Sequence, residues 1–170
     1  MKPTRLEPMK RPDPDDESRR SADRDRSFET FYEQELAGQV HRAKLLLGSD
    51  EAANDIVHEA FMAVYERWAS IREPGPYLNR AVLNRCRDRA RHSATSSIVH
   101  RRIAASHTRD PDDLLWDVIA ALPFNQRACV VLRYYAGFSE REIADTLECK
   151  PGSIGPWTTR ALTTMRKALT

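Results

Sequence analysis

Apolar side chains recur at intervals of three and four residues in two blocks of the chain. In the first block one such run covers residues 28–47 and a second covers residues 56–68, with Gly48 and Ser49 between them. This spacing places the apolar groups on one face of a helix, so each run predicts an amphipathic helix. Ser49 is a suitable N-cap, and the two acidic residues that follow it favour the first turn of the second helix.

A third helix is predicted to open at Pro74 and to run to about Arg91, because proline is well tolerated in a first turn. The second block predicts four more helices, over residues 112–122, 125–135 and 139–147 and from about residue 154 onward. The short apolar run 129–132 has the length of a strand, but its helical flanks favour helix. The predicted fold class is all-α, with two small helical domains joined by a flexible linker.

The last two helices have the spacing of a helix-turn-helix, which makes the final helix the candidate DNA reader. Ser139 and Glu142 predict a capping box at the start of the first of them. Pro156 is compatible with the second, because the N–H groups of a first turn have no partner within the helix. We expect that helix to begin near Ile154 and to turn four side chains towards the core, namely Ile154, Ala161, Leu162 and Met165.

Composition divides the chain into four parts. Residues 1–26 combine four prolines with dense charge and few apolar groups, so they are predicted to be a disordered tail that cannot offset the entropy of ordering. Residues 93–111 are rich in Ser, Thr and Arg, which is typical of a linker. The two predicted domains are residues 27–92 and residues 112–170.

The formal net charge of the 170 residues is only +2, but the charge is strongly segregated along the chain. Residues 28–71 carry 3 basic and 8 acidic side chains, whereas residues 72–111 carry 9 basic and 3 acidic ones. Residues 112–170 are balanced, with 7 of each sign. Because charge distribution steers association, this pattern indicates two differently charged partners, and the small total does not argue against nucleic acid.

Several classes of protein are disfavoured by what the sequence lacks. It contains no run of about 18 apolar residues and no signal peptide at its N-terminus, so we expect a cytoplasmic protein without a membrane span. The three cysteines form no CxxC pair and are expected to be reduced core residues, and neither an HExxH motif nor a glycine-rich phosphate loop occurs. We therefore expect no catalytic residues, no metal and no cofactor, and no enzymatic activity.

A stripe of polar side chains on the third helix has the groups that DNA binding needs. Arg80, Asn84, Arg87 and Arg91 are spaced by four, three and four residues and share one face. Arginine binds phosphate through two hydrogen bonds and asparagine pairs with base edges, although a solvated surface explains the stripe equally well. Tyr77, just before the stripe, is placed either to stack on a base or to cap the core.

The second helix presents an acidic face formed by Asp55, Glu59 and Glu66 beside His58. Such a face is usually solvated, and its functional alternative is a docking surface for a basic partner protein. The residues alone leave both interpretations open.

Three segments together resemble a known family. The run DEAANDIVHEAFMAVYERW over residues 50–68 is similar to conserved region 2 of the extracytoplasmic-function (ECF) subfamily of bacterial sigma-70-type RNA polymerase sigma factors. The run YLNRAVLN over residues 77–84 resembles the continuation of that region, and ALPFNQRACVVLRYYAGFSEREIADTL over residues 121–147 resembles region 4. The motifs occur in the family's order, which makes the joint match highly specific.

The resemblance implies a sigma factor that binds core RNA polymerase and directs it to promoters. Region 2 would dock on the beta-prime clamp helices of the polymerase, and region 4 would contact its beta flap. The implied partners are core RNA polymerase, promoter DNA and, as is common in the family, an anti-sigma factor.

The resemblance also assigns site residues in three groups. The residues implied in binding core polymerase are Asp55, His58, Glu59 and Phe61. The residues implied in binding and opening the −10 element are Arg72, Tyr77, Arg80, Asn84, Arg87 and Arg91. The residues implied in reading the −35 element are Arg141, Ser153, Trp157, Thr158, Thr159 and Arg160.

The chain departs from the family pattern at three places. His58 replaces a glutamine, and the loop IREPGP over residues 71–76 is short and rich in proline. At the start of the reading helix the family's VKSRxxRAL becomes IGPWTTRAL over residues 154–162, which removes two basic positions. Each neutralised phosphate contributes nearly one unit to the salt dependence of binding, so we expect weak −35 binding with a shallow salt dependence.

Three other interpretations compete with this one. A stand-alone helix-turn-helix regulator would need only residues 112–170 and would leave the acidic helix unexplained. A nucleic-acid-processing enzyme would require a catalytic or metal constellation. A family member with a weakened −35 reader would serve mainly as a protein-binding adaptor.

Overall fold

The structure is a computed structural model that describes residues 14–96 and 111–169. The first range forms three helices, α1 (Pro14–Leu47), α2 (Asp50–Glu66) and α3 (Pro74–Ser96), with a short 3₁₀ turn at Trp68–Ser70. The second forms α4 (Pro111–Ala121), α5 (Phe124–Val130), a π-helical segment (Val131–Tyr135), α6 (Glu140–Leu147), a 3₁₀ turn (Pro151–Ser153) and α7 (Ile154–Leu169). These two ranges contain no strand, and the predicted all-α class is confirmed.

The turn between α1 and α2 forms as the sequence predicts. Gly48 has a φ of 70°, a left-handed conformation that glycine adopts without strain, and its N–H donates to the carbonyl of Lys44 at 2.7 Å. The hydroxyl of Ser49 accepts a hydrogen bond from the N–H of Ala52 and caps α2. Asp50 lies 2.8 Å from the Lys44 ammonium, so the end of α1 and the start of α2 are joined by an ion pair.

Two predicted boundaries differ from those observed. Helix α1 begins at Pro14, so the prediction of a disordered tail is wrong for residues 14–26, and residues 1–13 lie outside the described residues. Helix α3 continues to Ser96, into the predicted linker, of which residues 97–110 lie outside the described residues.

The N-terminal extension of α1 is held by aromatic side chains from the end of α2 and the turn after it. The hydroxyl of Tyr65 donates to a carboxylate oxygen of Asp25 at 2.9 Å, and the guanidinium of Arg24 lies 5.1 Å from the centre of the same ring. The indole N–H of Trp68 donates to the hydroxyl of Ser27 at 2.9 Å. These contacts join residues far apart in sequence, which composition and periodicity cannot reveal.

Helices from both ranges contribute to one continuous apolar core, and Leu122, Val130 and Ala161 form a second, smaller cluster. At one end of the continuous core Phe61 is fully buried among Phe28, Phe31 and Tyr32, with ring centroids 4.6 to 6.4 Å from its own. Helix α3 packs on α6, and α1 packs on α4, α5 and the π-helical segment. The two predicted domains are therefore in direct contact with each other.

The cysteines belong to this core, as the sequence predicts. All three thiols are free; Cys86 and Cys129 are fully buried, and Cys149 is half-buried. Burial raises the pKa of Cys86 to about 12 and that of Cys129 to about 11. Both thiols are therefore protonated at neutral pH, which suits a structural role.

Helices α6 and α7 form the predicted helix-turn-helix. The hydroxyl of Ser139 accepts from the N–H of Glu142 at 3.3 Å, and the Glu142 carboxylate accepts from the N–H of Ser139 at 2.8 Å, which completes the capping box. Helix α6 ends at Leu147 and is followed by its C-cap Glu148, whose φ of 53° is left-handed, and the 3₁₀ turn then leads into α7. Helix α7 begins at Ile154, in agreement with the prediction.

The core-facing side of α7 differs by one position from the predicted side. Ile154 and Ala161 are buried and Met165 is half-buried, as predicted, but Leu162 is 37% exposed and its prediction as a core residue is wrong. Thr158 is buried instead. Residues 154, 158, 161 and 165 share one face at spacings of four, three and four, and residue 162 is rotated away from that face.

Replacing Ser139 with alanine is expected to lower the free energy of unfolding by about 1 kcal/mol, because α6 loses its N-cap hydrogen bond. Urea denaturation followed by circular dichroism measures this change. Thr164→Ala, an exposed substitution on α7, is the control and should stay within about 0.5 kcal/mol. A loss no larger than that of the control would contradict the role of the capping box.

The hydrogen bonds between Ser139 and Glu142 also make the destabilisation by Ser139→Ala depend on pH. They lower the pKa of Glu142 below its usual value of 4.5 in the folded protein. Their contribution to stability is therefore fully present above pH 4.5 and is lost as the pH falls through the lowered pKa. The difference between wild type and Ser139→Ala should shrink in acid.

Candidate functional site

Three of the four predicted protein-docking residues lie together on the exposed face of α2. Asp55, His58 and Glu59 are all exposed. They border a surface depression to which α1 contributes Tyr32 and Leu36. The arrangement offers two carboxylates and an imidazole around an apolar floor, which suits a partner with complementary basic and apolar groups.

Phe61, the fourth residue of that group, belongs to the core and not to the surface. It is 1% exposed and enclosed by the aromatic rings of α1. It lies four residues after Val57 and one after Ala60, which are both buried, so it occupies the inner face of α2. This corrects its assignment to the docking surface, because its side chain cannot reach a partner.

An arginine from α3 reaches the acidic face, and sequence reasoning did not assign it a role. The Arg85 guanidinium lies 3.7 Å from the carboxylate of Glu59. A second depression between α2 and α3 is bordered by these two residues together with Asp55, Asp88 and His92. Only the fold brings this cation beside the acidic face, since the two residues are on different helices.

The polar stripe of α3 divides into exposed and engaged members. Arg80 and Arg91 are exposed, whereas Asn84 and Arg87 are half-buried. Arg87 donates through Nη1 to the side-chain oxygen of Asn84 and through Nη2 to the backbone carbonyl of Leu147, each at 3.2 Å. Leu147 is the last residue of α6, so two members of the stripe are engaged at the helix-turn-helix.

The other two residues predicted to bind DNA near this stripe lie at and before the start of α3. Arg72 is exposed in the loop that leads into the helix. Tyr77 is half-buried and packs against the core, and its hydroxyl accepts a hydrogen bond from Arg67 at 3.4 Å. The structure thus places the Tyr77 ring against the core, with its hydroxyl beside a cation.

A buried polar network fixes the register of α3 against α1. The side-chain oxygen of Asn79 accepts from Gln39 at 2.7 Å and from Arg42 at 3.4 Å, and Gln39 is 1% exposed. Burial lowers the pKa of Arg42, and the nearby carboxylate of Glu35 opposes this shift. Buried amides that hydrogen-bond each other define one relative position of the two helices. Sequence reasoning missed these residues because nothing local marks them as partners.

Three of the residues predicted to read the second DNA element are exposed, namely Arg141, Thr159 and Arg160. Ser153 and Trp157 are half-buried. Thr158 is only 6% exposed and lies beside Cys129, so its assignment as a DNA contact is corrected. Its position on α7 falls between the buried Ile154 and Ala161, where a side chain points into the domain.

A second arginine joins the two halves of the fold, and it too was missed from the sequence. Arg127 on α5 donates through Nη1 to the carbonyl of Leu46 in the last turn of α1. Through Nη2 it donates to the carbonyls of Ala120 and Leu122 at the end of α4. Burial lowers the pKa of Arg127.

An open cavity of about 760 Å³ lies between the two halves. Its walls include Leu46, Arg87 and Arg91 from the first range and Phe124 and Trp157 from the second. The Arg87 guanidinium lies 5.9 Å from the centre of the Phe124 ring. The two halves therefore meet through shared apolar core residues and through arginine hydrogen bonds, and an open cavity lies between them.

In the described ranges 14–96 and 111–169, no three His, Cys, Asp or Glu side chains converge as metal ligands would. Among the helices of those ranges, none is both long and apolar enough to cross a lipid bilayer.

Two family models match the chain, one on each half of the fold. The model described as Sigma-70 region 2 matches residues 31–95, which span the second half of α1, all of α2 and nearly all of α3. The model described as Sigma-70, region 4 matches residues 112–165, which run from α4 into α7. The two matches follow the same order as the motifs in the sequence.

Curated relatives include two proteins named RNA polymerase sigma-E factor. The one from Streptomyces coelicolor is 26% identical over 151 residues, covering 84% of this chain and 85% of the relative. The one from Streptomyces avermitilis is 25% identical over 151 residues and covers 84% of each.

Two solved structures have a similar fold. The sigma factor RpoE from Bartonella quintana, in complex with the anti-sigma factor NepR, gives a TM-score of 0.68 at 18% identity and covers 84% of this chain and 96% of that one. CnrH, in complex with the cytosolic domain of CnrY, gives a TM-score of 0.64 at 19% identity and covers 85% and 88%. At these identities the likeness establishes the fold.

Proposed function

The chain belongs to the sigma-70 family and is an RNA polymerase sigma factor of the extracytoplasmic-function type, and we propose which of its surfaces bind core RNA polymerase and which bind promoter DNA. Its partners are core RNA polymerase and promoter DNA. The match to region 2 accounts for the acidic helix, which a stand-alone helix-turn-helix regulator would leave unexplained. We propose that it acts in the cytoplasm as an initiation factor with no catalysis of its own.

The exposed acidic face of α2 is the proposed docking surface for the clamp helices of core polymerase. The observation that supports it is the exposure of Asp55, His58 and Glu59 on one side of a helix whose opposite side is core. Complementary charge would steer the encounter with a basic partner and fix its orientation.

The basic face of α3 and the loop before it are the proposed −10 site. Arg72, Arg80 and Arg91 are exposed cations that suit phosphate contacts, and Asn84 and Arg87 have the groups that read base edges. Tyr77 has its ring against the core, and its hydroxyl, which accepts a hydrogen bond from Arg67, is the part of the side chain proposed to lie beside DNA. A base taken out of the stack costs a few kcal/mol, so a site of this kind selects sequences that open readily.

The helix-turn-helix is the proposed −35 reader, with the exposed Arg141, Thr159 and Arg160 as its main contacts. Ser153 and Trp157 flank them at the start of α7. We also propose the beta flap of polymerase as a partner of this domain. One of the two similar structures is a complex with a protein named as an anti-sigma factor, so a protein of that kind is the proposed regulator of this chain.

Promoter-specific run-off transcription tests the proposed function. Core RNA polymerase of the source organism is mixed with the full chain and supplied with genomic fragments. We expect discrete transcripts that depend on the added protein, together with direct binding to core polymerase. Absence of core binding and of protein-dependent transcripts would overturn the proposal.

Replacing Arg160 with alanine is expected to reduce the slope of log affinity against log salt by about one unit on −35 duplex DNA, because one phosphate contact is lost. Fluorescence anisotropy at a series of salt concentrations measures the slope. Lys167→Ala removes an exposed cation from the distal end of the same helix and is the matched control. Equal slopes for both variants would exclude Arg160 from the interface.

A further inference from the structure

Two arginines, one from each domain, hold the domains together through helix C-termini. Arg87 of α3 donates to the carbonyl of Leu147 at the end of α6, and Arg127 of α5 donates to the carbonyl of Leu46 at the end of α1. The last carbonyls of a helix have no partner within the helix and carry the negative end of its dipole. A guanidinium is therefore well suited to bind them, and the two contacts run in opposite directions across the interface.

The interface that these arginines cross is incompletely packed. The Nε atoms of Arg87 and of Arg127 are buried and make no hydrogen bond within the described part of the chain. The open cavity of about 760 Å³ lies beside both side chains. Buried polar groups without partners are costly, and unfilled space forfeits packing contacts. The closed arrangement thus combines a shared apolar core with arginine contacts that leave two buried Nε atoms without a hydrogen-bond partner and a cavity beside them.

The closed arrangement engages groups that the −10 site needs. The Arg87 guanidinium is divided between the Leu147 carbonyl and the side-chain oxygen of Asn84, so neither residue presents its polar atoms freely. Arg91 and Trp157 face the cavity between the domains, one from the proposed −10 site and one from the proposed −35 reader. The contact between the domains therefore engages Asn84 and Arg87 of the proposed −10 site, while Arg72, Arg80 and Arg91 stay exposed.

We propose that Arg87 and Arg127 form a latch that keeps the two domains closed and masks Asn84 and Arg87 of the −10 site, and that the latch opens before promoter DNA binds. This inference rests on the proposed function for the identity of the masked site. Arg127 lies outside every proposed DNA or polymerase contact, so its replacement is expected to open the latch without removing a DNA contact. Arg87 serves both the latch and the DNA, so its contact with Leu147 must break before it reaches a base or phosphate.

The experiment measures the distance between domains and the binding of DNA in the same variants. Donor and acceptor fluorophores are attached through noncanonical residues at the exposed positions Glu51 on α2 and Thr164 on α7, in the full chain without partners. Arg127→Ala should lower the transfer efficiency. It should also raise the affinity for a pool of random single-stranded 20-mers by about 5- to 10-fold, since apparent affinity scales with the open fraction.

Arg133→Ala is the matched control. Arg133 lies in the π-helical segment that follows α5 and pairs with Glu140 of its own domain at 2.8 Å, so its loss removes the same charge without touching the interface. It should leave both the transfer efficiency and the affinity for the pool unchanged.

The outcomes separate the latch from the proposed function. An unchanged distance in a folded Arg127→Ala protein would overturn the latch, and an opened protein with no gain in DNA affinity would overturn the masking. Because Arg127 also binds the end of α4, circular dichroism must show that the variant is folded. Should it unfold, Arg87→Gln with Arg89→Ala as its control tests the latch by distance alone, and no change in distance would overturn it. Failure of run-off transcription by the wild type would count against the function instead.

Discussion

Replacing Glu59 with arginine is expected to weaken the binding of core RNA polymerase by about tenfold or more, equivalent to about 1.4 kcal/mol. The substitution reverses the charge in the middle of the exposed acidic face of α2 and turns an attraction to a basic partner into a repulsion. It also replaces the ion pair with Arg85 by two like charges, which pushes that guanidinium away from the face. Titration of fluorescently labelled protein with core polymerase measures the affinity.

Glu29→Arg is the matched control for this prediction. It makes the same change in net charge at an exposed position of α1, outside the group formed by Asp55, His58 and Glu59. The thermal unfolding of both variants should stay close to that of the wild type, because both positions are exposed. Equal affinities of the two variants for core polymerase would remove Glu59 from the interface.

Replacing Phe61 with alanine is expected to lower the free energy of unfolding by about 3 to 5 kcal/mol. The substitution removes a fully buried ring from the cluster formed with Phe28, Phe31 and Tyr32 and leaves a cavity that rigid helices fill only in part. Urea denaturation measures the loss. A variant with wild-type stability would contradict the core position of this ring.

Met62→Ala is the control for the Phe61 prediction, because the adjacent side chain is 49% exposed. It should cost less than about 1 kcal/mol. The pair also separates the two roles that the family resemblance and the structure give to residue 61. If Phe61 docked directly on polymerase, its replacement would weaken binding without unfolding the domain. Because Phe61 is a core residue, its replacement is expected to weaken binding only to the extent that it unfolds the domain.

Motifs identify which residues belong to a site, but they do not state which way each side chain points. Phe61 and Thr158 both lie in matched segments, and both proved to be buried. The correction comes from helical geometry: each residue shares a face with neighbours that pack in the core. The exposed members of the same motifs, such as Glu59 and Arg160, remain candidates for contacts with partners.

Boundaries were predictable where a local signal exists. Gly48 with Ser49, and Ser139 with Glu142, mark helix ends through hydrogen bonds within a few residues, and the structure has each of them. The extension of α1 back to Pro14 carries no such signal. It is stabilised by tertiary contacts with α2 and the turn after it, so a composition that predicts disorder by itself forms helix in this setting.

The amino-acid sequence by itself determined the all-α class, the order of the two domains, the helix-turn-helix and the family, because periodicity, caps and motifs are properties of neighbouring residues. The tertiary structure alone decided which motif residues are exposed, that Arg85 reaches the acidic face, and that Arg87 and Arg127 tie the domains together. The partners that these arginines reach across the fold lie on other helices, and between the domains they are the backbone carbonyls of Leu147 and Leu46, a group that every residue possesses. No pattern of side chains marks such a carbonyl as a partner, so only the packing of the helices reveals it.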